Sequence, residues 1–182
     1  MPFAATHILF PLVLTVLIRD FYLRKKDKKL FPLHYVLIAG LAGTLPDWDI
    51  GFFWILQLSG IDVGFWDIHK TYLHSIFVPI IFFILFFVLK PVKSPTLGKH
   101  KLKLNIIALM IALGAFSHIF LDLILGEPFS AFYPFHTFTY ALALVNYFPE
   151  AVQGLLYPTL DAVLLIFYLI YLEIKHKISD FI

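Results

Sequence analysis

Long apolar runs separated by short polar breaks dominate this chain. Five of them read as membrane helices: residues 2–18, 30–45, 74–89, 104–125 and 157–172. The third contains IFVPIIFFILFFVL, with no polar side chain in it. Several are shorter than the ~20 residues a perpendicular helix needs to cross ~30 Å of hydrocarbon. Flanking residues must extend them, or the bilayer must thin. Two further stretches, 49–59 and 129–149, are aromatic but unsuited to crossing. They read as interfacial or re-entrant pieces that cap one side. No repeat, low-complexity tract or internal boundary interrupts the pattern. The expectation is one all-α integral membrane domain over residues 1–182, polytopic, with about five transmembrane helices.

Composition agrees. Of 182 residues, 60% are hydrophobic and 14% charged, with a mean hydropathy of +0.87. Soluble domains sit near 45–50% apolar and about 25% charged. A soluble globular protein, a disordered chain and a nucleic-acid-binding domain are thereby excluded. The absence of cysteine removes disulfides, iron–sulfur clusters and thiolate catalysis. Any metal must be held by His, Asp or Glu, which favours zinc, manganese, magnesium or iron over copper in soft-ligand sites.

Charge sets an expected orientation. Six Lys or Arg lie between Arg19 and Lys29, five between Lys90 and Lys103, and Lys175 and Lys177 follow the last span. With five spans these clusters share one face, which is cytoplasmic by the positive-inside rule. The first span carries its positive charge after the apolar run rather than before it. It therefore reads as a retained span with its N-terminus outside, in the inner (plasma) membrane. Lys70 is the one basic residue on the opposite face.

On that map His7, Asp47, Asp49, His69, His74, His118 and Asp122 all fall towards the non-cytoplasmic face. They come from four segments distant in sequence, and this convergence points to a site. His118 and Asp122 are spaced i, i+4 in GAFSHIFLDLI and share a helix face. A carboxylate in an apolar span must be paired or metal-bound; the plainer alternative is a polar pair joining two helices. In Gly43-Thr44-Leu45-Pro46-Asp47-Trp48-Asp49 the proline stops a helix and two carboxylates project from a bend. Such a pair suits a hard or borderline cation, unless it is only a solvated Asx turn. His69 and His74 flank a loop that leads into a helix, where Ser75 can cap. Their alternative is a pair of interfacial imidazoles. Lys70 between them can contact an anion such as a phosphate, or simply snorkel. His7 joins the set by its company. His136 is a weaker candidate and Asp161 a second-layer or helix contact, while Glu127 and Glu150 read as loop charges. His34, His100 and His176 fall on the cytoplasmic face.

This donor set exceeds one tetrahedral zinc. It fits two divalent ions, zinc first, with manganese or magnesium as alternatives. Paired ions activate water and stabilise attacking and leaving oxygens, which favours phosphoester hydrolysis over cleavage of an amide or carboxylic ester. Asp49 or Asp47 can serve as general base and Lys70 can stabilise developing charge.

Four pieces of sequence carry a resemblance: the early His7; Pro46-Asp47-Trp48-Asp49; His69-Lys70-Thr71-Tyr72-Leu73-His74-Ser75; and Ser117-His118-Ile119-Phe120-Leu121-Asp122. Together they resemble the YdjM-type membrane-bound metal-dependent hydrolases. The resemblance covers roughly residues 1–126. The family block reads His-Arg-x-x-Thr-His-Ser; here Lys70 stands at the Arg position and Leu73 at the Thr. Lysine keeps the charge and loses the bidentate geometry. The resemblance implies a helical membrane hydrolase whose metal site is built from these His and Asp residues. A more distant similarity to zinc-dependent phospholipase C is an analogy of fold, which does not fix function.

The expected function is a membrane-embedded phosphoesterase acting on a lipid or lipid-linked substrate at the non-cytoplasmic face. The competing reading is a transporter or a metal-binding membrane protein without catalysis. A transport path should carry polar residues through the full thickness, whereas here they crowd at one face. A structural protein joined by polar contacts is the third reading and predicts no bound metal.

Overall fold

The computed structural model describes residues 3–22 and 31–177. Among them the chain folds into eight α-helices: α1 (Ala4–Tyr22), α2 (Leu33–Ala42), α3 (Trp48–Leu58), α4 (Phe65–Ile68), α5 (Phe77–Val88), α6 (Pro95–Lys99), α7 (Leu104–Leu125) and α8 (Glu150–His176). The only strand-like pairing among the described residues is a single bridge between Phe129 and Tyr140. The basic residues Arg24, Lys25, Lys26, Lys28 and Lys29 lie outside the described residues, as do Pro2 and Leu30, where two spans were expected to begin.

All five expected spans coincide with apolar helices, but among the described residues only α1, α7 and α8 are long enough to cross a membrane. The 10-residue α2 and 12-residue α5 reach about 15 and 18 Å at 1.5 Å per residue. Their shortness has a local cause. Residues 43–47, with Pro46, close α2 in successive turns, and residues 69–75 turn repeatedly before α5 starts. Both helices therefore stop where the His- and Asp-bearing segments begin. The fifth span starts at Glu150 rather than near residue 157. Pro149 precedes it, and Glu150 sits in a first turn that favours negative charge.

Helix α7 is central and packs against α1, α2 and α5, while α1 also packs against α2 and α8. Small residues permit this. A Cβ on Gly114 would lie 2.4 Å from the Ala39 carbonyl oxygen and 2.7 Å from the Ala42 Cβ. Only glycine lets α7 approach α2 so closely, as is usual between helices without a hydrophobic drive from water. Below that crossing, Tyr35, Ala39 and Met110 form one core, and Leu12, Val16, Val36 and Tyr171 another. The expected capping segment 129–149 is irregular and tied back on the bundle. The Ile76 N–H donates to the Ala131 carbonyl at 2.8 Å, and the Leu142 N–H to the Leu123 carbonyl at 2.7 Å.

Candidate metal centre

The helices deliver the expected residues to one buried cluster. His7, His74, His118 and Asp122 have no solvent exposure, and His69 and Asp49 are 2% and 3% exposed. Each arrives by a different local route. The first turn of α1 carries His7, whose ring stacks on His118 at 3.7 Å between centroids. Helix α7 presents His118 and Asp122 one turn apart, as their spacing requires. The stop after α2 presents Asp47 and Asp49. The turns before α5 present His69, Lys70 and His74.

The alternative readings of single motifs are answered by these positions. Asp47 occupies the position preceding α3, yet its carboxylate makes no capping hydrogen bond. Asp49 is buried, so the pair is not a solvated turn. The imidazoles of the His69–His74 segment point inward rather than into an interface. Lys70 is only 5% exposed, which excludes snorkelling; its Nζ lies 3.5 Å from the Glu127 carbonyl and 4.0 Å from the Glu127 carboxylate.

Two kinds of carboxylate emerge. Both oxygens of Asp49 are occupied: Oδ1 is 2.9 Å from His69 Nδ1, and Oδ2 is 3.0 Å from His74 Nδ1 and accepts the Lys70 N–H at 3.1 Å. That backbone bond accompanies a left-handed Lys70 (φ 62°), a conformation unfavourable for a residue with a Cβ and typical of functional turns. Burial works to raise the Asp49 pKa, but the hydrogen bonds from His69 and His74 outweigh it and bring it down to about 2. Asp47 and Asp122 are different. Asp47 Oδ1 lies 3.5 Å from both His74 Nε2 and His118 Nε2. Asp122 Oδ2 lies 3.8 Å from the same two nitrogens, and Oδ1 lies 3.5 Å from His7 Nε2. Asp47 Oδ1, both Asp122 oxygens and both ring nitrogens of His7 are buried without a hydrogen-bond partner.

Leaving so many buried polar atoms unpaired costs ~1–3 kcal/mol each, unless a cation sits among them. His118 is prepared for that role. Its Nδ1 donates to the Gly43 carbonyl at 2.7 Å, which leaves the Nε2 lone pair facing His74 Nε2 at 3.3 Å. With the Nδ1 of His118 donating to Gly43 and that of His74 to Asp49, both Nε2 atoms are lone pairs, which cannot hydrogen-bond to each other and can ligate a shared ion. Three overlapping triads have ligand atoms within 4.8 Å of one another: His7, Asp47 and His118; Asp47, His69 and His74; and His74, His118 and Asp122. Asp47, His74 and His118 each belong to two triads. The residues present therefore fit a metal ion by chemistry and by the orphaned atoms. Of the seven expected ligands, six enter these triads and Asp49 does not.

Other residues divide cleanly. His136 is exposed and its Nδ1 accepts the Phe138 N–H, away from the cluster. Asp161 on α8 accepts a hydrogen bond from Thr6, tying α8 to α1 beside His7. Ser75 accepts the Phe77 N–H and donates to the Ala131 carbonyl, but it stands one residue ahead of Ile76, which holds the capping position of α5 that Ser75 was expected to fill. The rings of His34 and His100 pair with each other, 6.4 Å apart. Three contributors had no sequence signal: the Gly43 carbonyl, which orients His118; Phe129, packed 6.2 Å from the His74 ring; and Tyr157, whose hydroxyl donates to the Leu125 carbonyl. A carbonyl's role and a loop aromatic's target depend on tertiary approach, which leaves no periodicity to read.

Comparison with known proteins adds one result. The sequence profile of a family described as YdjM inner membrane protein matches residues 1–178. That span extends past residue 126, where the recognisable motifs end, and takes in α8. Neither curated proteins nor solved structures give a match.

Proposed function

The chain belongs to the YdjM inner membrane protein family, and we propose that it is a membrane-embedded, metal-dependent phosphoester hydrolase. The observation that carries this reading is the set of buried, unpartnered donor atoms of His7, Asp47 and Asp122 around facing imidazoles. His7, Asp47, His69, His74, His118 and Asp122 would hold two divalent ions, zinc first. Bound there, the ions would supply Lewis acidity and a lowered pKa for water.

The chain's own groups divide the remaining work. Asp49 fixes the His69 and His74 rings through their Nδ1 atoms and directs both Nε2 atoms inward. It acts as an orienting carboxylate, since both its oxygens already accept hydrogen bonds from the residues that carry the ligands. Asp47, at 20% side-chain exposure, is the carboxylate that water can reach, and it is the better candidate for proton transfer. Lys70 brings an ammonium near the cluster and would neutralise a phosphoryl oxygen as charge develops. The substrate is a lipid or lipid-linked phosphoester, and the site faces the non-cytoplasmic side.

Two expected results follow. Asp49→Asn keeps the shape but removes one acceptor lone-pair set and the charge, so one imidazole loses its fixed tautomer. Metal affinity should fall by about 10–100-fold, measured by competition with a chromogenic chelator. Lys70→Ala should retain wild-type metal content yet lower kcat on a long-chain alkyl phosphate by about 100-fold, the size of one lost charge-stabilising donor. Lys70→Arg should recover part of it. The test of the proposal is that hydrolysis itself, in detergent with added zinc or manganese. Phosphate release that stops on chelation supports the reading. A fully metal-loaded protein that releases no phosphate from any alkyl, diacylglyceryl or prenyl phosphoester would leave a non-catalytic metal protein.

A further inference from the structure

A groove with a different character is lined by neighbours in sequence of the metal-cluster residues. It is lined by Leu45, Trp48, Leu73, Val78, Ile81 and Phe82, a wholly apolar set, and has a volume of about 370 Å³, within the range of ligand pockets. Its walls are continuous with the ligand-bearing segments. Leu45 lies two residues before Asp47, Trp48 lies between Asp47 and Asp49, and Leu73 immediately precedes His74. The remaining wall is α5, whose twelve residues are all apolar. Ile81 and Trp48 are exposed at 55% and 66%, so the groove is open along one side.

A second cavity, about 300 Å³, lies at residues 125–128 and the start of α8. It is lined by Glu127, Asn146, Gln153 and Tyr157 among others, and Lys70 reaches the same Glu127. The two cavities thus offer opposite chemistry. One can desolvate hydrocarbon and offers no hydrogen bond. The other is rich in donors and acceptors. A groove of the first kind accepts only an apolar occupant without leaving polar atoms unpaired, and three of its lining residues, Leu45, Trp48 and Leu73, lie within two residues of Asp47 and His74 in the chain.

We infer that this groove seats the hydrocarbon chain of the substrate, entering along α5 from the lipid phase, with the ester end of that chain presented to the metal ligands. The inference rests on the hydrolase reading for the identity of the ester and adds the determinant that selects for a long chain. Phosphoesters with a long alkyl or prenyl chain should be preferred over short, water-soluble ones. Ile81→Trp should fill the groove, while Ile80→Trp, at an exposed position on the same helix outside the lining, should not.

The experiment uses detergent-purified full-length protein and a long-chain alkyl phosphate carrying a photoreactive diazirine near its methyl end. Crosslinks are mapped by mass spectrometry, and hydrolysis is followed in parallel on long- and short-chain phosphates. Labelling should concentrate on Leu73, Val78, Ile81 and Phe82 and be displaced by unlabelled long-chain phosphate. Ile81→Trp should lower labelling and long-chain turnover by about tenfold or more, the scale on which a hydrophobic pocket discriminates by size, with short-chain turnover and metal content unchanged. Groove labelling with no hydrolysis of any phosphate would uphold the chain site and sink the hydrolase reading. Hydrolysis with labelling spread evenly over the exposed residues of α5 and α8, or with Ile81 joined to a second copy of the chain instead, would overturn the groove and leave the hydrolase standing.

Discussion

Replacing Asp122 by Asn should abolish the stabilisation that zinc or manganese gives the wild-type protein. Asp122 sits in the last turn of α7, a membrane-length helix, with no solvent exposure and no hydrogen-bond partner on either oxygen. Around it stand His7, His74 and His118, at 3.5 to 3.8 Å. An isolated charge in such surroundings is expensive and is retained where it meets a cation. An ion that binds only the folded state stabilises it by about 4 kcal/mol at a thousandfold excess over its Kd. The wild-type thermal midpoint in detergent should therefore rise clearly on metal addition. In Asp122→Asn the rise should vanish, and hydrolysis should drop by about 100-fold or more, at least the effect of disturbing a ligand's supporting partner. If the carboxylate merely joined helices, the variant would melt lower at every metal concentration and the metal would shift neither protein.

Gly43→Ala should be the most damaging single methyl group in the molecule. A Cβ there would fall 1.9 Å from the His7 carbonyl oxygen and 2.9 Å from the Pro11 ring. The obstacle is backbone, so it cannot swing aside; α1 has to move. That displacement carries His7 away from the cluster and disturbs the Gly43 carbonyl that orients His118. Overpacking of this kind costs about 3 kcal/mol, and metal content should fall with it. Gly51 is the matched control. It lies inside α3 with nothing within 4 Å of its would-be Cβ, so Gly51→Ala should be neutral or stabilising by up to ~1 kcal/mol through helix propensity. Thermal midpoints of the two variants, measured side by side, separate close approach from a general intolerance of change.

The site was more legible in the sequence than the bundle that builds it. His118 and Asp122 could be read from their spacing alone, because i and i+4 share a face in any helix. The Pro46 stop and the His69–Ser75 block could be read as ends of helices. What escaped is what depends on approach between segments. Asp49 and Asp47 are chemically equivalent in a string of letters. Only the fold shows that one is consumed by His69, His74 and the Lys70 amide while the other stays partly open. The reach of Gly43 to both His7 and His118 is likewise invisible without α1 and α7 in place. In the fold, apolar content located five helices but overstated two. α2 and α5 are cut short by their turns, and the polar start of α8 at Glu150-Ala151-Val152-Gln153 hid two turns of helix behind a weak hydropathy signal. The short helices α4 and α6 had no apolar run to announce them.

Metal content tests the centre most directly. Wild-type protein purified in detergent, supplemented with zinc or manganese and passed through a desalting column, should retain divalent metal, about two ions per chain on the proposed two-ion reading of its overlapping His and Asp triads. Well-folded protein that retains no ion after the same treatment would contradict the account at its centre.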